Sequence, residues 1–486
     1  HIYTFDTTVD ETKIQQCRLL PFVFSDDEQY IISLEHQKVR VFQINPTTGA
    51  VSLIQTITQD IGSATLKFNQ DYLHEYTYAQ AGDVMFIAHP LFIPQQIVRT
   101  GLTSFQVESF QFDQKSDDKV VYQPYFSFQT AGVTLDPSAT SGSGVTLTIS
   151  SPYWDTSSPS KHIGTTVRYN GNEIEITGVT SSTVATGTVL DSLTKRLAPD
   201  SLRTNNGSNV VQVTMVSHGM SVGDSITIAD SDTTGGISIS NLNGSRTVAS
   251  IISDDVFTYT AGGSANDSVL GGGTPTITTH APTTTWDEQS YSDLRGYPAA
   301  VTFHENRLVF AGSSSQPDSI WFSKIASYYN FDVGDAKDNE AIHLTAAIGE
   351  IQQIRHIVSN RDLQVFSASA EFFVPAFQNQ SITPTNAQIR RQTPFGSAFQ
   401  RPQALDGATL FVQKGGQIVR EYIFSDSEAA YVANPISTIS SHLIKTPIEM
   451  NTLYGALSIS ESYVFILNND GTIAVFNSNR AEKRAG

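Results

Sequence analysis

The sequence predicts an all-β protein, a β-propeller platform built from two discontinuous segments with two small inserted β-barrel or sandwich domains. Three observations predict it. A hairpin of apolar strand, short polar turn and alternating strand recurs at Tyr30–Phe42, Val84–Arg99, Arg307–Ser323, Leu363–Val374, Thr409–Phe424 and Tyr463–Phe476. Several of its starts lie roughly 50 residues apart, the period of a propeller blade. Charged residues make up only 16% and hydrophobic residues 39%, with Gly, Ser, Thr, Asn and Gln filling the difference, which suits a turn-rich β protein rather than a helical or disordered one. The repeat also fails between Arg99 and Arg307, where the composition changes as inserted material would.

Taken in order, residues 1–130 form the first part of the propeller. Arg18–Phe24 is an apolar strand ahead of the acidic turn Ser25–Glu28, and Tyr30–Glu35 with Val39–Ile44 makes a hairpin. Gln70–Gln80 reads as a short helix before the strand Asp83–Ala88. Residues 131–200 open with the Ser/Gly tract Ser138–Gly144 and continue as short alternating strands, the pattern of a small barrel or sandwich. Residues 201–285 form a second small barrel, with core strands Val210–Val216, Ser225–Ile228, Arg246–Ile252 and Val256–Thr260 and the exit linker Gly271–Thr285. Residues 286–486 resume the hairpin repeat. The last hairpin turns through Asn468–Gly471, and no closing strand follows. Either Ile2–Phe5 closes the ring or the polypeptide continues past Gly486; continuation is the expectation.

The formal net charge is −18. An acidic surface repels nucleic acid at long range and gains nothing from counterion release, so a DNA-gripping protein is disfavoured. No apolar run approaches the roughly 18 residues of a membrane span. Cys17 is the only cysteine, which excludes intrachain disulfides and cysteine-clustered metal sites.

The densest polar cluster is His304-Glu305-Asn306-Arg307 with Asp318 and Trp321. Glu305 with Asp318 or Asp338 would be the paired carboxylates of a glycosidase. The structural reading is preferred: Arg307 buried against a blade carboxylate and Trp321 packed between blades. Asp332, Asp335, Asp338 and Glu340 surround Gly334, but their spacing does not match a calcium loop. They read as a solvated turn or a contact for Arg or Lys of another subunit. His218-Gly219 with Asp224 lacks a nucleophile at a defined spacing and reads as a turn in which Gly219 and Gly223 take unusual backbone angles. His74, His89 and His442 stand singly and read as packing or surface histidines. No phosphate loop, dinucleotide fingerprint or zinc motif occurs.

Four stretches together resemble the tail nozzle proteins of short-tailed bacteriophages, also called tail tubular protein B. They are Arg18–Ser25 leading into Tyr30–Glu35 and Val39–Phe42; Ala79–Pro90; Gly296-Tyr297-Pro298 with Val301–Gly312, Gln316-Pro317-Asp318 through Ser323, and Tyr329–Phe331; and Leu410–Val412 with Ile418–Glu421. The third is the most specific, and its motif residues are Gly296, Tyr297, Pro298, His304, Arg307, Gly312, Pro317, Asp318, Trp321 and Phe331. The resemblance implies a non-enzymatic virion protein without catalytic residues, cofactor or metal. It implies a homohexameric tube in the tail, assembled in the bacterial host cytoplasm, with an adaptor protein above, tail fibre or needle proteins around or below, and double-stranded DNA passing through the lumen. A glycan depolymerase or glycan-binding tail component is the alternative. The segment around Val213-Thr214, His218-Gly219, Gly223-Asp224, Asn243-Gly244 and Val256-Phe257 resembles the first catalytic-cysteine half-domain of ubiquitin-activating enzymes. Cys17 lies far outside it, so ubiquitin-type chemistry is not implied.

Overall fold

The computed structural model describes residues 17–114, 121–216, 218–334, 337–346, 353–376, 381–454, 462–479 and 484–485. Ile2–Phe5, one candidate for ring closure, lies outside them. The chain divides into two compact units, residues 1–112 with 295–486, and residues 113–294.

The first unit is a six-bladed β-propeller of four-stranded antiparallel sheets. Blade 1 comprises Arg18–Val23, Gln29–Glu35, Lys38–Ile44 and Val51–Ile57. Blade 2 comprises Thr77–Ala81, Val84–His89, Phe92–Gly101 and Ser104–Ser109. Blade 3 comprises Ala300–His304, Arg307–Ala311, Ser319–Phe322 and Ile342–Thr345. Blade 4 comprises Ile354–Ser359, Leu363–Ser367, Glu371–Val374 and Arg390–Thr393. Blade 5 comprises Gln403–Leu405, Ala408–Val412, Val419–Ser425 and Ala430–Pro435. Blade 6 comprises Pro447–Leu453, Ser462–Asn468, Ile473–Asn479 and Arg484–Ala485.

Each blade follows from strand–turn–strand chemistry. Glu305 and Asn306 both take positive φ, 46° and 58°, which gives the tight hairpin whose twist matches its flanking strands. Neighbouring blades share apolar cores. Leu20 and Phe22 of blade 1 pack with Met85, Ile87 and Phe105 of blade 2. Ile320 and Phe322 of blade 3 join Val365 and Phe372 of blade 4. Phe366 and Phe373 of blade 4 meet Phe411 and Tyr422 of blade 5, and Leu410 and Val419 of blade 5 meet Val464 and Ile466 of blade 6.

The helix expected over Gln70–Gln80 is only a 3₁₀ turn at Gln70–Tyr72, and Thr77–Ala81 is the first strand of blade 2. Tertiary pairing with Val84–His89 overrides the local preference.

The second unit holds two sheets. Seven strands run in the order Leu135–Pro137, Gly142–Ile149, Val184–Val189, Asn172–Ser181, Thr166–Tyr169, Trp286–Gln289 and Tyr125–Phe126. Trp286–Gln289 therefore belongs with this insert, not with the propeller segment to which the sequence reading assigns it. The other sheet is a barrel. Ser225–Ser231, Gly244–Ser253, Val256–Thr260, Val210–Thr214, Leu202–Arg203 and Leu270–Gly271 pair in succession, and Gly273–Thr278, directly after the last of these, pairs back onto the first. Closing in this way leaves the sheet little exposed edge. Its core is Leu202, Val213, Ile226, Ile228, Phe257, Tyr259 and Ile277.

Candidate functional site

Blade 3 gathers the motif residues that the sequence singles out. Gly296 has φ +82°, and a Cβ there would lie 2.6 Å from Ser314 Oγ, so the chain passes too close for any side chain. Tyr297 N–H donates to Pro90 O of blade 2 at 2.9 Å, and Pro298 is buried. Gly312 has φ +65° with Ile354 O only 2.9 Å from where its Cβ would sit. Pro317 O accepts from Ile354 N, the first residue of blade 4, at 2.8 Å, and Asp318 O accepts from Ala346 N at 3.1 Å. His304 Nδ1 bonds Ser359 Oγ of blade 4 at 2.9 Å, and burial lowers its pKa. Phe331 stacks on Phe310 with ring centres 5.3 Å apart. Tyr297 thus joins blade 3 to blade 2, and His304, Gly312 and Pro317 join it to blade 4.

One detail differs from expectation. Arg307 is buried, but its guanidinium donates to backbone carbonyls rather than to a carboxylate: Ser323 O and Glu340 O at 2.6 Å, Asp338 O at 3.0 Å and Ile382 O at 3.4 Å. Chain ends of strands and loops leave such carbonyls without partners, and one planar fork serves four of them. Trp321 is buried and stacks at 7° on His343, its cross-strand neighbour in the same blade. Burial takes His343 down to about 4, so it stacks as a neutral ring.

Glu305 Oε2 accepts from Ile382 N at 2.6 Å, a structural cap. Glu340 Oε2 accepts from Lys337 N at 3.2 Å; Asp335, its neighbour in the acidic loop, lies outside the described residues. Among the described residues no three His, Cys, Asp or Glu side chains group as metal ligands. His218 is a turn anchor, with Nδ1 accepting from Met220 N at 2.9 Å and Nε2 on Ser253 O at 3.0 Å, and Gly219 and Gly223 have φ +61° and +98°.

Sequence reasoning missed the propeller axis. The first strands of blades 2 to 6 and their flanks line a cavity of 380 Å³ that includes Thr77, Tyr78, Thr302, His356, Arg401 and Tyr454. Beside it, Arg18 of blade 1 reaches Glu449 of blade 6 at 3.1 Å and also donates to Leu73 O and Tyr76 O. His74 meets the same carboxylate at 3.4 Å, so it is an inter-blade partner rather than a lone surface histidine. Burial would raise the Glu449 pKa, but His74 and Arg18 outweigh it and hold the group below its ordinary value. His89 is also not single: it is buried against the Tyr76 ring, with Glu75 3.6 Å from Nε2. Burial pushes His356 down to about 3 with help from Arg401, Arg18 and Arg355, against the opposing bond to Phe399 O. Arg18, Arg355 and Arg401 therefore gather around His356 near the axis. The only hint in the sequence was a set of arginines placed at or beside first strands.

Residues 299–477 match the family model described as bacteriophage nozzle protein. The match runs from the start of blade 3 into blade 6 and supports a phage tail nozzle family and a structural tail component. No curated protein matches the sequence. Solved structures with some likeness include the phage phi92 endosialidase, at 12% identity and TM-score 0.17, covering 83% of this chain and 72% of that one. A protein from Lactobacillus plantarum is 11% identical with TM-score 0.27, covering 92% and 90%. AztD from Citrobacter koseri is 7% identical with TM-score 0.27, covering 86% and 87%. Scores this low carry no argument.

Proposed function

We propose that this chain is a structural virion protein of the tail nozzle of short-tailed bacteriophages, six copies of which form a tube where double-stranded DNA is retained and then ejected. The observation that carries the reading is the nozzle-family match over residues 299–477, which contains most of the motif residues of blade 3. The charge supports it. At −18 per chain, a sixfold assembly repels phosphate, and a duplex that finds few cationic contacts slides rather than stalls. The blade-to-blade bonds support it too, since they make a wall element of strands with little helix to flex. On this reading the partners are other copies of the chain, an adaptor protein above, and fibre or needle proteins around or below. The site of action is the virion tail, after assembly in the host cytoplasm. The barrel of the insert, which resembles the ubiquitin-activating half-domain, serves as scaffold or contact module, not as chemistry.

The glycan depolymerase alternative would use Glu305 as acid or base, and one oxygen of that carboxylate already accepts from the Ile382 amide. Mass photometry of the purified chain tests the proposal. A particle of six chain masses is expected. A stable monomer or trimer at micromolar concentration, with no larger species, contradicts it.

A further inference from the structure

We infer that the axial cavity of the propeller is a binding site for a small oxyanion, carboxylate or phosphate, seated on Arg401. The inference does not depend on the nozzle reading. Arg401 lies with its guanidinium 3.9 Å from the centre of the Tyr78 ring, at the wall of the 380 Å³ cavity. Stacking holds one face of the guanidinium and leaves its in-plane N–H donors to whatever occupies the cavity. Among the described residues the Arg401 guanidinium has no hydrogen-bond or ion-pair partner.

The other cations of the axis are committed. Arg18 holds Glu449 and two carbonyls. Arg355 donates to Ser397 O at 2.7 Å and covers the Phe399 ring at 3.9 Å. The Glu449 carboxylate is already shared between Arg18 and His74. Arg401 is left, half-buried, without a carboxylate at the wall of an open polar cavity. The hydroxyls of Thr302 and Thr452 also line the space, while those of Thr77 and Tyr454 are donated to Ala299 O and Ala404 O. The cavity falls within the roughly 300–1,000 Å³ typical of small-molecule sites. A planar fork beside hydroxyls recognises a carboxylate or phosphate, because two parallel N–H bonds match two of its oxygens.

The test uses the full chain at constant ionic strength, titrated by calorimetry with sodium phosphate and, separately, sodium succinate, against sodium chloride. The wild type should bind at least one of the two oxyanions saturably; which one binds assigns the ligand class. Arg401→Gln should weaken that binding by at least about tenfold. Arg401→Lys, which keeps the charge but not the fork, should fall between. Arg390→Gln, on the exposed outer strand of blade 4, should bind as the wild type does. Absence of saturable binding to either anion overturns the inference, as does equal affinity in the wild type and the folded Arg401→Gln or Arg401→Lys protein.

Discussion

Blade 3 and blade 6 have the same four-stranded plan and opposite surfaces. In blade 3 every residue of Arg307–Ala311 and Ser319–Phe322 is buried, because blades 2 and 4 cover both faces. In blade 6 the strand Ser462–Asn468 alternates. Its Val464 and Ile466 pack on blade 5, while Phe465 on the other face is 38% exposed and its cross-strand partner Val475 is 51% exposed. Blade 1 answers with the same asymmetry: Leu20 and Phe22 are buried toward blade 2, and Leu19 and Val23 are about half exposed. A strand covered on both faces reads as a continuous apolar run, and one covered on a single face reads as an alternation. The difference teaches that the burial of a strand's two faces is written in its apolar pattern.

The largest expected effect breaks the comparison where burial is deepest. Trp321→Ala in blade 3 should cost about 3–5 kcal/mol, whereas Phe465→Ala in blade 6 should cost below about 1.5 kcal/mol. Urea unfolding of the two variants, followed by fluorescence, measures the contrast. Equal costs would mean that the exposed face of blade 6 is covered in solution. Arg307→Leu should cost about 3 kcal/mol or more, since it strands several buried carbonyls. Arg307→Lys should recover little of that loss, because a point charge cannot reach four acceptors at once; the same unfolding curves report both.

At the join of blades 1 and 6, Glu449→Gln should cost roughly 2–3 kcal/mol, as it leaves the buried Arg18 without its carboxylate. The loss should shrink in the Arg18→Met background, which a double-mutant cycle measures.

The pH dependence sharpens the same contrast. His343 in blade 3 and His356 in blade 4 are lowered by burial to about 4 and about 3, while unfolded histidine titrates near 6.5. Below 6.5 the unfolded chain takes up protons that the folded chain refuses, so stability is full above that pH and declines as pH falls toward those folded values. Thermal melts between pH 7 and about 4 should show the decline. His343→Phe, which keeps a ring on Trp321, should flatten it. The smallest effect expected is at Glu305: Glu305→Gln should leave glycan unchanged, as the wild type does, in an assay for released reducing ends.

The propeller was legible because its signal is local. The run Arg307-Leu308-Val309-Phe310-Ala311 and the turn before it carry strand, burial and hairpin within a few residues. The partner of Arg307 was misread as a carboxylate because carbonyl acceptors leave no trace in side-chain identity. The axis was not legible at all: Arg18 and Glu449 are 431 residues apart, and only ring geometry brings them together. Trp286 was assigned to the wrong segment for the same reason. Its pairing to Tyr169 is set by the insert's sheet order, which no nearby residue announces.

The central claim is a rigid wall subunit arranged around a DNA conduit, and electron microscopy of the purified assembly tests it most directly. The account predicts a six-fold ring with an open, predominantly acidic bore wide enough for duplex DNA. A monomeric propeller, or a ring whose bore is lined with lysine and arginine, would contradict it.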